Sequence, residues 1–197
     1  REVKKMKHTH SAGFNTFRFG TAAIAALVLL LGSLSAMAET AAELDRDVDS
    51  AYQKLMSSSP AARELASVSK GVLVFPSIVK AGLVIGGQYG KGALRVKGKT
   101  TGYYNTTAAS FGLQAGAQSF GYAMFFMTND ALKYLDKSDG WEVGVGPTLV
   151  VVDEGVARSL STSTAKEDVY VFFFDQKGLM AGLGVQGSKI TRITMDK

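Results

Sequence analysis

From Gly71 onward the apolar residues come in short runs punctuated by glycine, and this punctuation constrains the fold more than any other feature. Gly71-Val-Leu-Val-Phe75 stops at Pro76. Residues 83–85, 93–96 and 103–107 follow, separated by Gly-Gly, Gly-Lys-Gly and Lys-Gly-Lys, the composition of tight turns. Such runs are too short for buried helices and are rich in Val, Phe and Tyr, so they read as strands. Phe111, Leu113, Ala115 and Ala117 alternate with Gly112, Gln114, Gly116 and Gln118, a two-residue period that puts one face inward. Residues 122–127, 142–152, 156–162, 169–174, 179–185 and 189–194 read as further strands. Residues 149–152 and 172–174 lack alternation and are expected to be buried on both faces. Thr128 is placed to cap one internal helix over 130–135.

Two helices precede the strands. Over residues 41–56, Leu44, Val48, Ala51, Tyr52 and Leu55 recur at helical spacing with acids between them, the pattern of one buried stripe. Ser57-Ser58-Ser59-Pro60 interrupts it, and Ser59 with Pro60 can open a second helix that turns Leu65 and Val68 inward. The expected fold is therefore α+β: a mainly antiparallel β sandwich or barrel-like core, about ten strands, with N-terminal amphipathic helices and one short internal helix. The organisation divides at residues 39 and 70, with helices over 39–69 and the β-rich domain over 70–197.

Residues 1–38 have a different character. Lys7 and Arg18 are basic, residues 22–31 are apolar, and Ala36-Met37-Ala38 has the small-residue pattern of a cleavage site. This reads as a secretory signal peptide, with Met6 as the expected start and cleavage after Ala38. The alternative is an uncleaved anchor, since residues 19–38 carry no charge. Either way the domain is expected in the periplasm or outside the cell. The chain's formal charge of +5 is mostly local to this segment: from Glu39 onward 17 basic residues face 16 acidic ones. The charge is thus no sign of a nucleic-acid partner.

There is no cysteine, and both histidines, His8 and His10, fall in the signal segment. The remaining chain cannot build a Ser-His-Asp triad, a Cys-His pair or a His-ligated zinc site, so no catalytic residue, metal or cofactor is expected. Gly86 to Gly92 resembles a phosphate loop, but Ile85 stands where the first glycine belongs and Gly92 where Ser or Thr belongs; a hairpin turn is the better reading. Gly182-Leu-Gly184-Val-Gln-Gly187 satisfies G-x-G-x-x-G but lacks a following helix. The acid pairs Asp153-Glu154 and Glu167-Asp168 sit at strand ends, where solvated turns belong.

The informative charge pattern is regional. Between Glu64 and Asp130 there is no acid, while Lys70, Lys80, Lys91, Arg95, Lys97 and Lys99 are all basic. Four of these fall within residues 91–99, and Tyr103 and Tyr104 follow. Anionic headgroups would reward such a cluster, and tyrosines suit the bilayer interface. A lysine-rich edge strand that blocks aggregation gives the same pattern.

Several stretches together resemble the SYLF family, the lipid-binding domain also found in yeast and animal actin-patch regulators. They are Lys70-Gly71-Val-Leu-Val-Phe-Pro76, Val79-Lys80-Ala-Gly82-Leu-Val-Ile-Gly86-Gly87, Gly90-Lys91-Gly92, Thr128-Asn-Asp-Ala-Leu132, Gly178-Leu-Met-Ala-Gly182 and Gly187-Ser188. The resemblance spans residues 65–193. It implies phospholipid binding, with phosphoinositides the ligand in eukaryotic relatives, and no catalytic activity. For a secreted bacterial copy it implies anionic envelope or host lipids, not actin. Family lipid binding is associated with a basic N-terminal helix. Here that helix carries Glu43, Asp45, Asp47 and Asp49, which shifts the expected contact to the strand over 91–99.

The expected function is non-enzymatic binding of anionic phospholipid headgroups at a membrane surface. Lys91, Arg95, Lys97 and Lys99 supply charge, Lys80 supports them, and Tyr103 and Tyr104 lie at the interface. The alternatives are a small outer-membrane or envelope β protein and an enzyme that needs neither His nor Cys.

Overall fold

The computed structural model describes residues 39–196 except 83, 84, 112–115, 138, 179–184 and 186. The segment expected to be a signal peptide, with Ala36 and Ala38, and nearly all of the strand expected over 179–185 lie outside the described residues.

Helix α1 (Ala41–Ser58) opens with a reciprocal cap. Thr40 Oγ1 accepts from the Glu43 amide at 3.3 Å while the Glu43 carboxylate accepts from the Thr40 amide at 2.9 Å. The bond from the Thr40 amide first, then one from the Thr40 hydroxyl at 2.9 Å, hold the Glu43 pKa below its ordinary value. Leu44, Val48, Ala51 and Leu55 form the buried stripe. Helix α2 (Pro60–Val68) has Pro60 in its first turn and Ser59 as cap, whose Oγ accepts from the Ala62 amide at 3.1 Å.

Eight strands are described: β1 (Gly71–Gly82), β2 (Ile85–Val96), β3 (Lys99–Phe111), β4 (Gly116–Phe126), β5 (Trp141–Glu142), β6 (Leu149–Val151), β7 (Val169–Gly178) and β8 (Lys189–Ile193). They make one sheet in the order β5-β8-β3-β2-β1-β4-β7-β6, antiparallel throughout except for β6 beside β7. Thr128 caps helix α3 (Asn129–Lys133), which runs into a 3₁₀ turn over Tyr134–Asp136. Helix α4 is Glu154–Ser159.

The sheet curls. Trp141 on the outermost strand β5 meets Phe126 of β4 at a ring separation of 5.9 Å, although four strands lie between them. Tyr122 of β4 likewise donates to Thr106 Oγ1 of β3 at 3.1 Å across β1 and β2. Both contacts require a half-barrel whose concave face holds Leu73, Phe75, Ile78, Tyr104, Phe120, Tyr122, Phe126 and Trp141. The α+β, barrel-like expectation is thus met by a single curled sheet. Helices α1 and α2 cover the convex face against Val72, Val74, Ala93, Phe125 and Phe172. The last strand, β8, inserts between β3 and β5, and beyond it the Asp196 carbonyl accepts from the Ala41 amide at 2.9 Å, tying it to the start of α1.

Three local expectations are corrected. The glycines from Gly86 to Gly92 form no hairpin turn; they lie inside β2. β1 carries a bulge between Val74 and Ser77, at Pro76, that brings its backbone close to β2. A Cβ on Gly92 would stand 2.4 Å from the Val74 carbonyl oxygen and 2.7 Å from the Phe75 ring, so glycine is needed for approach, not for turning. Residues 156–162 are no strand: Asp153 accepts from the Val156 amide at 2.8 Å and starts α4. Residues 142–152 hold only the short strands β5 and β6, and β6 is an edge with Val151 exposed.

Candidate functional site

β2 and β3 are joined by Lys97-Gly98, both in the left-handed region at φ 50° and 76°, which closes a two-residue hairpin between Val96 and Lys99. The end of α2 and the start of α3 reach the same end of the sheet. Lys70, on the connection from α2 into β1, is fixed there by its amide, which donates to the Phe126 carbonyl at 2.7 Å. Between these elements lies a cleft of ≈ 840 Å³ whose walls include Tyr52, Val68, Lys70, Arg95, Lys97 and Leu132. No Asp or Glu lines it among the described residues. Tyr52 is half-buried in its wall, and burial raises its pKa.

The acids of α1 lie along the neighbouring strands. Asp49 forms an ion pair with Arg95, whose guanidinium also donates to the Gly98 carbonyl at 2.8 Å. Glu39, just before the helix, pairs with Lys91 at 3.5 Å. Asp45 accepts from Thr100 Oγ1 at 2.9 Å and from the Tyr103 hydroxyl at 3.0 Å. Burial first, then that carboxylate, raises the Tyr103 pKa. Helix α1 is therefore a counter-charge seated on the basic strand.

The seven residues expected from sequence thus separate. Arg95 and Lys97 line the cleft and Lys99 stands beside them on the hairpin. Lys91 and Tyr103 face the helix and its acidic lead-in. Tyr104 is buried on the concave face, where its hydroxyl donates to Asp136 at 3.3 Å. Burial, with the Asp136 charge next, pushes its pKa up to about 12. Lys80 lies ten residues along the chain from Lys70, roughly 33 Å at strand spacing. Among the described residues Lys70, Lys97 and Lys99 have no ion pair and are exposed. In the sequence Lys70 is one charge of the acid-free stretch and opens a family-resembling run; its place between a helix end and a strand start was the signal for the cleft. Tyr52 and Val68 carried no signal beyond helical spacing, and Leu132 none beyond its place in the family-resembling stretch 128–132.

The end of the curled α+β half-barrel thus carries a basic cleft with apolar walls and, among the described residues, no acid in its lining. Residues 107–195 match the family described as Ysc84: Las17-binding protein actin regulator. This is the SYLF family, a family of binding domains, and the segment from within β3 to just past β8 matches it. Of the cleft, Leu132 lies in the matched segment, whereas Tyr52, Val68, Lys70, Arg95 and Lys97 precede it. No curated protein matched the chain.

Proposed function

We propose that the domain binds anionic phospholipid headgroups at a membrane surface and performs no catalysis. The observation that carries this reading is the cleft: Lys70, Arg95 and Lys97 face it, no acid lines it, and Val68 and Leu132 add apolar surface. Lys99 extends the positive edge. Basic residues near an anionic bilayer contribute about 1 kcal/mol each, so the unpaired lysines 70, 97 and 99 together account for roughly a hundredfold in affinity. In this reading residues 1–38 are a signal peptide cleaved after Ala38, and the domain works in the periplasm or outside the cell. The family description names Las17 and actin; a secreted copy meets envelope or host lipid instead. A membrane-spanning barrel is disfavoured because β5 and β6 end the sheet unpaired with one another and helices cover the convex face.

The test is co-sedimentation with vesicles of neutral phosphatidylcholine alone or mixed with phosphatidylglycerol, at low and high salt. Binding confined to anionic vesicles, lost in salt and weakened by Lys70→Gln/Lys97→Gln/Lys99→Gln, supports the cleft. Unchanged binding by the triple variant sinks it.

A further inference from the structure

At the opposite end of β1 the concave face becomes polar. Lys80 stands directly across from Gln88 of β2 and from Gln118 of β4, and residues opposite one another share a face of the sheet. Ile78, two residues earlier, lies in the concave core, which places this row inside the half-barrel. Gln88 Nε2 donates to Ser188 Oγ at 3.0 Å, and Ser188 is 1% exposed. Gln118 is 2% exposed, yet among the described residues both its Oε1 and its Nε2 lack a hydrogen-bond partner. Lys80 is half-buried and has no ion pair among the described residues.

Buried amides are rarely left unsatisfied, because each orphaned atom forfeits the hydrogen bond that water gave it. The next polar pair along the trough, Tyr122 and Thr106, satisfy each other. Gln118 has no such partner, and it shares a face with an ammonium lacking a counter-ion. An occupant that answers all these atoms must accept from Lys80 Nζ and Gln118 Nε2 and donate to Gln118 Oε1. We propose that this end of the trough is a binding site for a small oxyanion that also carries a hydroxyl, a phosphate or phosphate monoester being the fitting class. The site lies far from the cleft lysines and does not depend on the membrane reading; either can fail alone.

The test follows the Gln118 side-chain amide of the ¹⁵N-labelled full chain during titration with inorganic phosphate and, separately, glycerol 3-phosphate. Sodium chloride of equal ionic strength is the control. Gln118→Leu assigns the signal and replaces the orphaned amide by an apolar group, so this variant is expected to unfold at or above the wild-type temperature. Phosphate is expected to shift the Gln118 signal and raise the wild-type unfolding temperature, with no such rise for Gln118→Leu. Lys80→Met is expected to weaken the response about tenfold or more, the usual loss of a charge-assisted hydrogen bond. A response to both probes supports an ester such as a lipid headgroup; a response to inorganic phosphate alone supports the free ion. A Gln118 signal that neither probe moves at millimolar concentration, or a response undiminished by Lys80→Met, overturns the proposal.

Discussion

Asp49 of α1 and Arg95 of β2 are joined as an ion pair across the helix–sheet interface, so the charge that one segment concentrates is answered by another far from it in sequence. Removing the acid leaves Arg95 free to serve the cleft. Asp49→Asn is therefore expected to tighten binding to phosphatidylglycerol vesicles about fivefold, the effect of one further basic residue at the surface. The pair is half in solvent, so stability should fall by no more than about 1 kcal/mol. Co-sedimentation and denaturant unfolding of the same variant separate the two effects, and weaker vesicle binding would contradict the neutralisation.

Gly92 faces the bulged part of β1 at a distance that leaves no room for a methyl group. Gly92→Ala is expected to cost about 2–3 kcal/mol, as overpacking does in a close-packed core. Gly87, in the same strand, is the control: its Cβ would lie 3.7 Å from the nearest atom, and Gly87→Ala should be neutral or slightly stabilising. Urea midpoints report the difference. Equal losses at both positions would refute the close-approach explanation.

Asp168 binds three groups: its Oδ2 accepts from the Thr148 amide at 3.0 Å and the Thr148 hydroxyl at 3.1 Å, and its Oδ1 accepts from the Thr128 hydroxyl at 3.1 Å. These bonds, the Thr148 amide first, lower its pKa from the ordinary value of 3.8. A lowered acid contributes stability that is present above the unfolded pKa and lost as pH falls through the folded one. Asp168→Ala should cost about 1–2 kcal/mol at pH 7, and the gap from wild type should shrink below pH 3.8. A gap independent of pH would assign the loss to packing.

Tyr104 and Tyr122 give the alkaline counterpart. Burial raises both pKa values, that of Tyr104 to about 12, so each stays neutral in the fold while the unfolded chain ionises near 10. Their contribution is full below pH 10 and is lost as pH rises through the folded values. In an absorbance titration of the phenolates, these two of the seven tyrosines should ionise only with unfolding, and Tyr104→Phe should remove one of them. Reversible ionisation of every tyrosine in the folded state would contradict their burial.

Local signals carried much of the fold. Helical spacing gave α1 and its buried stripe, Ser59-Pro60 gave the start of α2, and Lys97-Gly98 gave the hairpin between β2 and β3, because each is decided within a few residues. What failed depended on partners distant in sequence. The glycines of β2 are explained only by the bulge opposite, and Gln118 turns inward while the neighbouring Ala117 is exposed. The cluster of cations was legible as charge. That Arg95 and Lys91 are neutralised was not, since Asp49 and Glu39 reach them through packing of α1 on the sheet.

The placement of β8 imposes an order on assembly. Its register joins Tyr104 to Arg192 and Trp141 to Ile190, so β5 has no seat in the sheet until residues 189–193 have arrived. Until then the outer edge of β3 stays open, an invitation to intermolecular strand pairing. The start of α1 also waits, since its Ala41 amide docks on Asp196. Completion of the half-barrel therefore waits on residues 189–196, and a chain that has not yet seated them presents an open β3 edge to its neighbours.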